Sequence, residues 1–158
     1  MATAVKVEHI NPFLKASIET FRSMVRCEIK PGKIRLKSAA KAYFDISGII
    51  GLSGGAKGSV ILSFNRLTAL KVVSAFGGIK VVTLDDMVVD AIGELTNIVA
   101  GSAKKDLMQY KISISLPSVV LGTDHTLNAH SDIVPLMVPF ESPFGNFALI
   151  VCFASDIA

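Results

Sequence analysis

Residues 84–107 read LDDMVVDAIGELTNIVAGSAKKDL, and the recurrence of apolar positions along them sets the fold. Val88, Ile92, Leu95 and Val99 return at intervals of three and four, the spacing that gathers side chains onto one side of an α-helix. Asp90, Glu94, Asn97 and Gly101 gather on the opposite side. The apolar stripe needs a core to lie against. The polar stripe is locally unfavourable: Asp90 and Glu94 are like charges one turn apart, and Asn97 is a poor mid-helix residue. Gly93 and Gly101 each cost about 1 kcal/mol relative to alanine inside a helix. Such a surface predicts a face that another molecule visits, with bare backbone at the two glycines left open to its approach and both Glu94 and Asn97 exposed.

Working outward, the rest of the chain reads as one motif written twice. Upstream, NPFLKASIETFRSMVR predicts a helix from Asn11 to about Arg26, with Asn11 as N-cap and Pro12 in the first helical position. CEIKPGKIRLK turns at Pro31-Gly32, AYFDISGIIGL is strand-like, and SGGAKG is a turn leading into the strand SVILSF. RLTALKVVSAF then predicts a further helix, ended by Gly77-Gly78. Downstream of residue 107 the order recurs: KISISLPSVVLG with a bend or edge at Pro117, the strand DIVPLMVPFE, the turn SPFGN and the strand FALIVCFA. In that register Ala16-x-x-Glu19 meets Ala91-x-x-Glu94, while Arg22 stands where the second copy has Asn97 and Lys15 where it has Asp90. The expectation is a single domain over residues 1–158, with a first repeat at about 9–78 and a second at about 83–158. Its class is α+β, with internal pseudo-two-fold duplication: a mainly antiparallel sheet of about six strands with two long helices packed on one face. One copy has lost its acid and amide, so one site per chain is expected.

The run Asp90-AIG-Glu94-LT-Asn97, the flanks GELTNIVAG and SLPSVV, and Pro117 some twenty residues beyond the amide resemble the CheC/CheX/FliY family of chemotaxis phosphatases, most closely its single-site CheX-type members. The likeness spans the chain through the doubled architecture, and its specific part runs from Asp90 to Val120. It implies hydrolysis of the phospho-aspartate on a CheY-like response regulator, in chemotaxis or related two-component signalling. It assigns Asn97 and Glu94 to catalysis. A carboxamide offers both an acceptor for a water proton and a donor for a phosphate oxygen. Glu94 has the reach to pair with a lysine of the regulator. Asp90, Gly93 and Gly101 fall to docking, and Pro117 to holding its strand beside the helix. Magnesium is expected to arrive with the regulator, because nothing in this chain forms an oxygen cage for it. The alternative on the same scaffold is a non-catalytic adaptor or flagellar-switch-like module that binds a receiver domain. CheX-like relatives dimerise by extending their sheets, which implies a homodimer.

Composition narrows the rest. Of 158 residues 51% are hydrophobic and 18% charged, with mean hydropathy +0.54 and net charge +3. Without an apolar run of about 18 residues no membrane span is expected, and MATAVKVEHINPFLK lacks the basic start and apolar stretch of a secretory signal. No block of lysine and arginine with interleaved aromatics supports nucleic-acid binding. Cys27 and Cys152 sit in strand-like sequence without metal spacing and read as core residues of a reduced, cytoplasmic protein. GLSGGAKGS departs from a phosphate-binding loop at Ala56 and Gly58 and precedes a strand, so it reads as a hairpin turn. His125, His130, Asp124 and Asp132 form a loose cluster read as a solvated loop, and His9 is read as an ordinary residue ahead of a helix. Lys15, Arg22 and Arg26 form a basic helix face.

Overall fold

The computed structural model describes residues 3–4, 6–36, 44–122 and 133–155. In chain order these form β1 (Thr3–Ala4), α1 (Val7–Thr20), a π turn (Phe21–Val25), β2 (Lys30–Pro31), β3 (Arg35–Leu36), β4 (Ile46–Gly54), β5 (Ala56–Phe64), α2 (Arg66–Gly77) and α3 (Asp86–Lys105). A 3-10 turn (Met108–Tyr110) then leads to β6 (Ile112–Ile114), β7 (Ser118–Leu121), β8 (Ile133–Val134), β9 (Leu136–Glu141) and β10 (Phe147–Ser155).

Alternation along the strands sorts side chains to the two faces of the sheet. Val60, Leu62 and Phe64 of β5 join Phe147, Leu149, Val151 and Phe153 of β10 in the main core beneath the helices. The intervening Ile61, Ala148 and Ile150 form a smaller cluster with Ile49 and Met137. β5 and β10 pair antiparallel in register, Leu62 opposite Leu149 and Val60 opposite Val151. β4 lies outside β5 and β9 outside β10, and each edge carries a broken strand: β6 and β7 on β4, β2 and β3 on β9. The sheet therefore has eight strands rather than about six, with a separate parallel pair β1–β8. Proline accounts for the difference. Pro31-Gly32 splits one edge strand and the segment ending in Pro117 splits the other, since a residue without an N–H cannot continue a ladder.

There are three helices among the described residues, of which α1 and α3 are the long ones. They pack on each other, with α3 over β4 and α1 against β10, while α2 braces α3 and the π turn. α1 begins at Val7, four residues before the expected cap, so Pro12 lies inside the helix. Pro12 there forgoes one backbone bond to the carbonyl a turn earlier. Burial of His9, Ile10, Phe13 and Ala16 offsets that loss. The helix ends in a π turn with Arg26 left-handed at φ 62°, and Cys27 N donates to Phe21 O at 3.2 Å. α2 closes on Gly78 at φ 69°, as its Gly77-Gly78 ending predicts.

His9 is not the unremarkable residue of the sequence reading. It is 6% exposed within α1, and its Nε2 shares a hydrogen bond of 3.0 Å with the Tyr110 hydroxyl. Its ring also lies 4.6 Å from that of Phe153, and Nδ1 has no partner among the described residues. Burial holds its pKa below the ordinary 6.5, with Glu8 acting in the opposite sense. The unfolded chain therefore takes up this proton first as pH falls. The stability that neutral His9 contributes is complete above pH 6.5 and is lost as pH drops below it. His9→Phe should flatten the dependence of unfolding free energy on pH between about 7.5 and 5.5, measured by urea denaturation against wild type. An unaltered slope would assign that dependence to other groups.

Candidate functional site

α3 is held at both ends and along one side. Asp85 caps it, its Oδ1 accepting from Val88 N at 3.1 Å, and Lys104 and Lys105 occupy the last turn, where cations complement the helix dipole. Val88, Ile92, Leu95, Val99 and Ala103 are all at most 1% exposed, so the stripe read from the sequence is the face that meets the core. Two residues that the sequence reading passed over set its height above the sheet. Thr96 is fully buried and its Oγ1 donates to Ile92 O at 2.8 Å. Beneath it lies Gly48 of β4, where a Cβ would overlap Thr96 Oγ1. The signal was the glycine amid the apolar run ISGII.

The outer face carries the predicted residues. Asp90 and Glu94 are exposed, and neither is in an ion pair among the described residues. Asn97 is half-buried rather than exposed, and its carboxamide has no hydrogen-bond partner among the described residues. It stands one turn beyond Gly93, on the flank of the helix that the β6–β7 connection overlooks. Gly93 itself corrects the expectation of an open backbone: it is buried by this chain's own residues. A Cβ there would sit 3.3 Å from Val119 Cγ2 and 3.4 Å from Pro117 Cβ. The glycine lets the Pro117 loop close against α3. Gly101 keeps the expected character, with nothing within 4 Å of a Cβ built on it. Glu94, Asn97, Asp90 and Gly101 thus share one face, and Pro117 and Gly93 form its wall.

The connection carrying Pro117 is braced. Ser115 N donates to Gly51 O at 2.9 Å, Gly51 N donates to Ser115 Oγ at 2.8 Å, and that hydroxyl donates to Leu116 O at 2.8 Å. The loop is thus braced where it packs on Gly93, one turn before Asn97.

Elsewhere the sequence candidates separate. The basic face of α1 is partly neutralised, Lys15 by Asp106 at 3.6 Å and Arg22 by Glu28 at 2.7 and 3.0 Å. GLSGGAKGS is the β4–β5 hairpin. Cys27 lies after the π turn rather than in a strand and is half-buried, whereas Cys152 is buried in β10. Burial pushes both thiols above their ordinary range, which removes them as nucleophiles near neutral pH. Asp124, His125, His130 and Asp132 lie outside the described residues. Among the described residues no group of three or more His, Cys, Asp or Glu is placed to hold a metal ion, and no helix is long and apolar enough to cross a membrane.

Fold and stripe together define a class: an α+β domain that presents an acid and an amide from one long helix across a braced loop. The profile described as Chemotaxis phosphatase CheX matches residues 46–141. The CheY-P phosphatase CheX of Thermotoga maritima is 36% identical over 132 residues, 82% of this chain and 85% of that protein. Among solved structures, a CheC-like superfamily protein from a Shewanella species superposes with a TM-score of 0.85 at 36% identity, covering 96% of this chain and all of the other. The CheX of a CheX–CheY–BeF3–Mg2+ complex from Borrelia burgdorferi superposes with a TM-score of 0.81 at 28% identity, over 95% of this chain and 100% of that one. The chain belongs to the CheX family of chemotaxis phosphatases.

Proposed function

We infer that this chain is a phosphatase of CheY-like response regulators, hydrolysing their phospho-aspartate. The observation that carries the reading is Asn97: a half-buried carboxamide without a hydrogen-bond partner among the described residues, one turn beyond the Gly93 on which Pro117 packs and one turn from an exposed Glu94. Its donor and acceptor are reachable from solvent and used by nothing among the described residues, so both are open to a visiting ligand. The acyl phosphate needs little covalent help; in-line placement of water supplies most of what is required. Asn97 holds that water by accepting one of its protons. The water oxygen bonds to phosphorus as the bond from phosphorus to the aspartyl oxygen breaks. Inorganic phosphate leaves, the regulator's carboxylate is restored, and the proton passes to phosphate or solvent. A carboxylate at position 97 would repel the phosphoryl oxygens, which the neutral amide does not.

Glu94, in no ion pair among the described residues, is read as meeting a cation of the regulator and setting the helix in register over its pocket. Asp90, one turn earlier, and the bare backbone of Gly101 extend the docking face. Mg2+ belongs to the regulator, in keeping with the beryllofluoride and Mg2+ of the Borrelia complex. The protein is placed in the cytoplasm, where receiver domains act. It is read as a homodimer joined along a sheet edge, supported by the exposed Leu121 on β7 and Leu36 on β3. The two halves are read as a degenerate duplication, about 9–78 and 83–158, supported by a strand order that exchanges β5 with β10 and β4 with β9 about its centre.

A receiver domain phosphorylated by acetyl phosphate, mixed with a substoichiometric amount of this protein, should lose phosphate with multiple turnovers. Binding without faster decay would favour the adaptor. Glu94→Ala should raise KM about tenfold or more, the worth of one charge-assisted contact, with kcat largely regained at saturating regulator. A dependence of rate on regulator concentration unaltered from wild type would rule out a role for Glu94 in association.

A further inference from the structure

We propose that Leu116 is the apolar anchor on which the regulator's receiver domain seats, and that it sets the affinity of the encounter; this rests on the phosphatase reading of Asn97 and Glu94. Leu116 is 87% exposed, more than any other large hydrophobic residue among those described. A single exposed leucine needs no explanation in itself. What distinguishes this one is how it is held. Its carbonyl is fixed by Ser115 Oγ, Ser115 is tied to Gly51 through both N–H and hydroxyl, and Pro117 beside it rests on Gly93 of α3. The break between β6 and β7 lifts Leu116 out of the ladder as bulges beside binding sites do. A leucine presented on backbone that is already pinned costs little backbone ordering when a partner covers it, which is a property of an interface anchor.

Its place follows from the path of α3. Thr96 and Ile92 lie over Gly48 of β4, and the chain leaving α3 meets Gly54 and Gly55 at Lys111 and Tyr110. The helix therefore runs along β4 in the strand's own sense. The β6–β7 connection runs opposite to it, with Ser118 beside Ile49 and Ile114 beside Leu52. Passing from Gly93 to Asn97 along α3 is thus passing from Pro117 toward Leu116. The leucine stands at the flank of the amide, across it from Glu94. An apolar contact on one side of Asn97 and a charge on the other would fix a receiver domain in two dimensions over the water-placing group.

The test is steady-state dephosphorylation of an acetyl-phosphate-loaded CheY-like receiver, paired with titration of the same receiver carrying beryllofluoride and Mg2+. Leu116→Ala should raise both KM and the dissociation constant about tenfold while kcat stays within twofold. Leu116→Met should restore most of the affinity, and Leu67→Ala, an exposed leucine on α2, should leave it within twofold. Unchanged KM and dissociation constant in Leu116→Ala would overturn the proposal, as would a loss confined to kcat. A shift in oligomeric state by light scattering would also overturn it, because a second copy would then be what covers the leucine. The wild-type arm reports separately on the parent reading. If wild type binds without turnover, the ratio of dissociation constants still decides the role of Leu116; if wild type neither binds nor hydrolyses, both fail. Thermal melts of each variant keep folding out of the comparison.

Discussion

Asn97→Ala should lower kcat for receiver dephosphorylation by about 100- to 1000-fold, the size of effect seen when one positioned polar group is removed from a transition state. The affinity for a beryllofluoride-loaded receiver should stay within about threefold. The separation arises because the docking contacts lie elsewhere on the face, at Glu94, Asp90 and the wall at Pro117. What alanine removes is the acceptor that orients water along the line of the breaking bond. The half-buried position of the amide sharpens the expectation. Alanine leaves no side-chain acceptor at that position, so a water entering the vacated space is not held along the line of attack. Asn97→Asp provides the control of charge. It keeps the shape and an acceptor, but its carboxylate faces the phosphoryl oxygens, so it should lose turnover and also weaken binding of the anionic loaded receiver. Equal loss of kcat and affinity in Asn97→Ala would make the residue a docking contact rather than the group that places water. Neither substitution should move stability by more than about 1 kcal/mol, since the side chain makes no hydrogen bond among the described residues.

The apolar stripe of α3, the polar stripe opposite, the hairpins and the end of α2 were legible because each follows from local periodicity or from a glycine at a helix end. The start of α1 was not. Asn11-Pro12 carries the signal of a helix beginning, and only burial of His9 and Ile10 against the sheet extends the helix back to Val7. Edge strands were undercounted for a related reason. A proline within an apolar run tells that the ladder is interrupted, but not that both pieces rejoin the same neighbour, as β6 and β7 do on β4. Gly93 and Asn97 show where a helical wheel stops informing. It gave Asn97 to the outer face and left the backbone of Gly93 open, and a loop more than twenty residues downstream then covered Gly93. The chemistry of the stripe could be read from one helix. The cover over Gly93 depended on Pro117, whose packing partner no spacing identifies.

Gly48→Ala should be the most destabilising single-methyl change near the site, by about 2–3 kcal/mol, because it overpacks a seat that cannot yield. The added Cβ would overlap Thr96 Oγ1 and lie 3.1 Å from both Ile92 O and Thr96 Cβ. One of those atoms is backbone and the others belong to a fully buried side chain, so relief comes only by lifting α3 from β4. That movement loosens Val88, Ile92, Leu95 and Val99 together, and it carries Asn97 away from the wall at Pro117. At about 2–4 °C per kcal/mol for a chain of this length, the fall in Tm is easily measured. Turnover per folded molecule should fall as well, although Gly48 lies beneath the helix, on the side away from the regulator. Thr96→Ala alone should cost about 1 kcal/mol through its lost hydrogen bond to Ile92. Combined with Gly48→Ala it removes the worst collision, so the double variant should be more stable than the sum of the singles by at least about 1 kcal/mol. It should also recover part of the lost turnover, since the helix can settle again. Strict additivity in stability would mean that α3 is not seated through this contact, and that the height of the catalytic helix is set by the apolar stripe alone.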